Sequence, residues 1–237
     1  DIAVNIAGLV AVLAGIGLVV GGLSYTGIAG AFSRELLLYA GGNLALMLIA
    51  GAVTSFVLGM GMTVTACYIF LSILLAPALV EAGLHPIASH LFILYWGMLS
   101  YITPPVALAA ITAANIAGSK PMETGLRAMR LGLPLFVLPF IFVNDPALIM
   151  AGSFVEIVFR VAVTIVALWA ITSAFEGWIY RVGRIEAISR VAFGIGGVLI
   201  ILPELTTSFI GVGVLAAVIL VNLALRKRQL PAGPLSQ

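Results

Sequence analysis

The stretch Ser100-Tyr101-Ile102-Thr103-Pro104-Pro105-Val106 offers the most distinctive chemistry in this sequence. Two adjacent prolines remove two backbone donors, and Pro104 pushes Thr103 out of the helical region. The apolar run that contains them, Ile87 to Ala117, exceeds by about ten residues the roughly 20 that carry a straight helix across a bilayer core. A break near the middle of that run is therefore expected, with free carbonyls and free N–H groups at membrane depth. Lipid satisfies neither, so they must be buried in protein or line a wet cavity. Breaks of this kind are where transporters hold cargo or a coupling ion.

A half-helix beginning at Val106 would present N–H groups and the positive end of its dipole, which suits a carboxylate. The half-helix ending near Ile102 would present carbonyls, which suit a sodium ion. A second interruption, Gly59-Met60-Gly61-Met62-Thr63, repeats the arrangement, with carbonyls around Leu58–Gly61 and donors from Thr63 to Thr65. The expected substrate contacts are Thr63, Thr65, Thr103 and Val106. The expected cation ligands are Gly59, Gly61, Thr103 and Pro104, mainly through backbone carbonyls. Plainer readings stand beside these. Prolines also kink ordinary transmembrane helices, a lone Gly-x-Gly is a weak signal, and membrane threonines often satisfy their own backbone.

Of the 237 residues, 62% are apolar and 8% are charged, and the mean hydropathy is +1.24. A soluble domain needs more charge for its surface alone. The apolar runs are continuous and helix-length, unlike the alternating strands of a membrane barrel. The expected class is an all-α polytopic membrane protein. A single cysteine, Cys67, excludes an intrachain disulfide and a cysteine metal cluster. With only His85 and His90 as imidazoles, a zinc or haem site is not expected. No nucleophile–base arrangement, His-x-x-x-His motif or Walker loop occurs, so an enzyme is not expected and ATP would have to be spent by another chain.

In chain order, Ile2 to Leu23 forms a first span, and Ser24 to Ser33 a polar turn or surface helix. Leu36–Leu58 and Val64–Val80 flank the glycine interruption. Pro86 suits a helix start. Residues 118–130 carry Lys120, Glu123, Arg127 and Arg130 at surface-helix spacing. Leu131–Val143 is kinked by Pro134 and Pro139, Asn144-Asp145-Pro146 is a turn, and Ala147–Phe175 is a full span. A charged connector over 176–190 leads to a final helix pair joined at Pro203-Glu204 and ended by Arg226-Lys227-Arg228. The Lys/Arg-rich segments 118–130, 176–190 and 226–228 can all lie in the cytoplasm, which also places the C-terminus there. Counting alone leaves Leu36–Val80 as either two spans or a re-entrant hairpin. The glycine tip favours the hairpin, dipping from the outside face toward Thr103–Pro105.

Smaller features have mostly structural readings. Cys67 reads as a core packer, and His85 and His90 flank a helix start at the outer interface. Glu156 and Arg160 are an i,i+4 pair, Asn115 is a packing amide, and Glu204 is a solvated turn residue. Trp96, Trp169 and Trp178 are packing or interfacial residues.

Three motifs together carry a family resemblance: Gly59-Met60-Gly61-Met62-Thr63-Val64-Thr65-Ala66-Cys67-Tyr68, Ala76-Pro77-Ala78-Leu79-Val80 and Ile102-Thr103-Pro104-Pro105-Val106-Ala107-Leu108-Ala109-Ala110. They resemble the large membrane subunit of tripartite ATP-independent periplasmic (TRAP) transporters, across roughly residues 36 to 175. Lys120-Pro121-Met122-Glu123-Thr124-Gly125 and Asn144-Asp145-Pro146-Ala147-Leu148 resemble the TAXI-type branch, whose small and large membrane subunits are commonly fused. The resemblance implies an elevator-type transporter of the bacterial inner membrane built from two inverted repeats. Each repeat carries a re-entrant hairpin and a broken transmembrane helix. A periplasmic substrate-binding protein delivers a small organic acid such as a dicarboxylate, a cation gradient (typically sodium) drives symport, and no cofactor is implied beyond the coupling cation. One hairpin and one broken helix are visible, so the chain is expected to be the second repeat, with the first belonging to a longer polypeptide. The chain begins at Asp1 rather than Met, which agrees with that expectation. No nucleic-acid partner is expected; the bilayer is.

The expected organisation is a scaffold helix and connector over 1–35 and a transport core over 36–118. An amphipathic connector with scaffold helices follows over 119–180, then a helix pair and cytoplasmic tail over 181–237. Two other readings stay open: a binding-protein-independent anion transporter of related elevator fold, and a non-transporting membrane scaffold.

Overall fold

The computed structural model describes residues 2–202 and 205–229, and divides the chain into two compact units, 1–149 and 150–237. The division falls within the segment 119–180. Asp1, the turn at Pro203-Glu204 and the side chains of Arg226, Lys227 and Arg228 lie outside the described residues.

In the first unit, α1 (Ile2–Thr26) and α2 (Ile28–Ala40) lead to α3 (Leu44–Gly59) and α4 (Val64–Leu74). The apolar run from Leu36 to Leu58 is thus not one helix. Gly41 and Gly42 both take left-handed conformations, and Asn43 then caps α3 by accepting a hydrogen bond from the Leu46 N–H at 3.1 Å. The run from Val64 to Val80 is likewise divided, with α5 (Ala76–Glu81) starting anew around Pro77. Pro86 opens α6 (Pro86–Leu99), as expected, and α7 (Leu108–Ala117) continues beyond the interruption. The surface helix α8 (Pro121–Leu131) runs into α9 (Leu133–Asn144), and a short 3-10 turn, Pro146–Ile149, ends the unit.

The first unit's core gathers Met47 and Leu48 of α3, Cys67 and Leu71 of α4, Leu75, Leu79 of α5, and Phe92 and Ile93 of α6. Trp96 of α6 meets Phe56 of α3 and Phe136 and Phe140 of α9 edge to face, with centroids 6.5, 5.8 and 5.6 Å away. Such geometry adds to the burial of these large rings. His90 reaches Tyr68 across the same core, Nδ1 to Oη at 3.1 Å.

The second unit consists of α10 (Phe154–Glu176), a two-stranded hairpin with β1 (Trp178–Ile179) and β2 (Gly183–Arg184), α11 (Ala187–Ile201) and α12 (Leu205–Gln229). Ser153 caps α10, accepting from the Glu156 N–H at 3.4 Å. The charged connector is therefore ordered: Gly177 turns left-handed at the end of α10 (φ 69°), and Ile179, Val182 and Ile185 bury themselves under the hairpin. Close glycine contacts pack the helices, with Gly197 against Ala167 and Gly196 against Gly211. Three stretches of the described chain, 121–144, 154–176 and 206–224, are long and apolar enough to cross a membrane. The chain is an all-α polytopic membrane protein.

Candidate functional site

The first interruption is the tip between α3 and α4. Thr63 caps α4, its Oγ1 accepting from the Ala66 N–H at 3.3 Å. Met60 N–H donates to the carbonyls of Phe56 and Val57, and Gly61 N–H to that of Leu58 at 3.1 Å. The N–H groups of Val64 and Thr65 make no hydrogen bond among the described residues. Thr63 and Thr65 are both exposed. The two glycines of the motif differ in kind. Gly59 is buried, and a Cβ there would collide with the carbonyl oxygen of Gly97, so α3 and α6 meet backbone to backbone. Gly61 is exposed, and a Cβ would find only the Leu58 oxygen, 3.9 Å away.

The second interruption begins where α6 ends. Successive turns continue the chain beyond Leu99: Tyr101 N–H donates to Met98 O at 3.0 Å, Ile102 N–H to Leu99 O at 3.2 Å, and Thr103 N–H to Ser100 O at 3.4 Å. The Pro104–Pro105 peptide is cis. Ala107 then adopts φ 36°, a left-handed conformation that no right-handed helix can include. For that reason α7 starts at Leu108 and not at Val106, which sits half-buried just before the reversal.

Much of the exposed backbone expected here finds partners inside the loop. Ala107 N–H donates to Ser100 O and Thr103 O, and Ala109 N–H to Tyr101 O at 3.0 Å. Thr103 is buried and its Oγ1 donates to Leu99 O at 2.8 Å. What stays unpaired among the described residues is a smaller set: the N–H groups of Val106, Leu108 and Ala110, and the carbonyls of Ile102, Pro104, Pro105 and Val106.

The two interruptions lie side by side. Tyr101 Oη donates to the carbonyl of Met62 at 3.5 Å, a long contact that joins the loop to the tip. One turn below, Gly59 meets Gly97, whose Cβ position lies 3.2 Å from Cys67 Sγ. A third element covers the loop: a Cβ on Gly125 of α8 would stand 3.0 Å from Pro104 Cγ and 3.4 Å from Ala107 Cβ. Gly125 is the buried residue of an otherwise amphipathic helix. Tyr101, Gly97 and Gly125 thus join the residues that motif reasoning singled out. A lone glycine among the charges of α8 was the available signal for the last of them; the pairing of Gly59 with Gly97 is long-range and leaves no local trace.

No charged side chain occurs between Leu36 and Val80 or between Pro86 and Ala117. Within these two stretches the fixed charges are those of peptide dipoles, and both α4 and α7 begin there with unpaired N–H groups. The helix α8, which covers the loop at Gly125, adds Glu123, Arg127 and Arg130. An arrangement of this kind can solvate a small anion through backbone donors, and a small cation through nearby carbonyls, without burying a charged residue.

Comparison with known proteins adds a family. Residues 2–157 match the tripartite ATP-independent periplasmic transporter, DctM component. Neither a curated protein nor a solved structure matches the chain. The matched stretch takes in all of the described first unit, including both interruptions, and the first residues of α10. The chain belongs to the DctM component family, the membrane permease component of tripartite ATP-independent periplasmic transporters.

Proposed function

We propose that this chain is the membrane subunit of a secondary active importer of small organic acids, driven by a cation gradient, with sodium as the coupling ion. Its cargo comes from a periplasmic substrate-binding protein of the TAXI type, and a small membrane subunit, fused or separate, completes the assembly in the bacterial inner membrane. The C-terminus is cytoplasmic, in keeping with the positive-inside rule. The single observation that carries this reading is the meeting of the two interruptions, with the unpaired N–H groups of α4 and α7 in one region. With 16 and 11 residues, α3 and α4 are each shorter than a bilayer crossing, which supports a re-entrant hairpin. Substrate carboxylate is assigned to the donors around Thr63, Thr65, Val106 and Leu108. The cation is assigned to carbonyls near Gly59, Gly61 and Pro104, with Thr103.

Thr103→Val tests the cation assignment in the intact transporter. Its hydroxyl is replaced at nearly constant volume, and Leu99 O keeps its bond from Ile102 N–H. Expression should hold while the sodium concentration for half-maximal uptake rises roughly tenfold, the equivalent of one lost polar contact. An unchanged sodium dependence removes Thr103 from the ion site.

A further inference from the structure

The second unit carries an apolar groove of about 570 Å³ between α10 and α11, floored by Ile171, Phe175, Gly194 and Val198. A shallower groove of about 410 Å³ runs along the other flank of α11. Both share Ala187, Val191 and Ile195, which are spaced four apart and form one ridge. From Ala187 to Leu199 the first groove extends along about 18 Å of helix, close to the roughly 15 Å depth of one leaflet. The second groove is shorter, about 12 Å from Ala187 to Ile195 along α11 alone. The ridge thus separates one leaflet-long channel from a shallower apolar shelf, room for the two chains of a diacyl lipid.

The mouth of the grooves is basic and aromatic. Arg190 is rooted there, its Nε donating to Ala174 O at 2.9 Å and its Nη2 to Phe175 O at 2.7 Å. Arg184 is exposed and stands opposite the exposed Trp178 in the hairpin register. The Arg181 guanidinium lies over the Tyr180 ring, 5.8 Å from its centroid. Glu176 and Glu186 belong to the same segment, so the three arginines leave a net positive mouth. We propose that this unit retains one anionic diacyl phospholipid, its chains astride the Ala187–Val191–Ile195 ridge and its phosphate at Arg181 and Arg184. This site is independent of the transport reading.

The test is native mass spectrometry of the intact membrane protein purified from bacterial membranes in mild detergent, with the retained lipid identified by its mass. One phosphatidylglycerol per chain is expected to survive. Arg181→Gln and Arg184→Gln should each lower retention roughly fivefold, the weight of one basic residue at an anionic surface. Val198→Trp, which fills the first groove while leaving every arginine in place, should displace the lipid as well. Arg127→Gln on α8 of the first unit is the control and should change nothing. Equal retention of phosphatidylethanolamine, retention indifferent to both arginine variants, or an equal loss in the control would each overturn the site.

Discussion

In the first unit the closest helix contact falls where two helices are about to stop: Gly59 ends α3, and Gly97 stands two residues before the end of α6. In the second unit the equivalent contacts fall in mid-helix. Gly196 and Gly211 approach one another inside α11 and α12, and Gly197 packs on Ala167 inside α10, a helix of 23 residues. The same small residue thus serves two ends. Between continuous helices it makes a scaffold with its backbone already satisfied. Beside interrupted ones it holds two helix ends together next to the chain breaks. The difference lies in the prolines: Pro104 and Pro105 follow the first unit's contact, whereas no proline interrupts α10, α11 or α12.

The sharpest way to break this contrast is a matched pair of variants. Gly59→Val drives a side chain into the Gly97 carbonyl, and Gly211→Val places one where the Gly196 oxygen lies 2.6 Å from the Cβ position. Each should destabilise the protein by about 3 kcal/mol in thermal unfolding measured in detergent. Uptake per folded molecule should vanish only for Gly59→Val. If Gly211→Val abolishes it too, the division between working and supporting units is wrong.

A smaller effect is expected at Gly125. Replacement by valine pushes on Pro104 and Ala107, so uptake should drop about tenfold while the unfolding midpoint shifts little, since α8 is mostly exposed. Next in size is Asn222→Leu in the second unit. It removes a 3.0 Å bond from α12 to Ser189 of α11. Unfolding should show a loss of about 0.6 kcal/mol, typical of membrane interhelical bonds, with transport intact. Gly61→Ala sits last: the site has room for a methyl group, and stability should stay within about 0.5 kcal/mol.

How much of this was legible in the sequence follows from which forces act locally. The break after α6 was, because two prolines act on their own neighbours whatever surrounds them. Its continuation was not: Ala107 gives no hint of the positive φ that delays α7 by two residues. The glycine tip was legible as an interruption, but not the separate task of Gly59, which depends on a helix nearly forty residues away. Gly41-Gly42-Asn43 escaped notice within an apolar run, although paired glycines before a capping asparagine are a helix boundary in their own right. The hairpin at Trp178–Arg184 was hidden by its charges. Its order comes from Ile179, Val182 and Ile185, which alternate with exposed residues over too short a distance to stand out.

The Gly59–Gly97 contact has a mechanical corollary. Two main chains that touch with no side chain between them have no rotamer to swing aside and no soft layer to shear. The α3–α4 hairpin therefore cannot open away from α6 as a flap would without giving up its tightest packing. In the transport role proposed above, the two elements are expected to move as a single piece rather than apart.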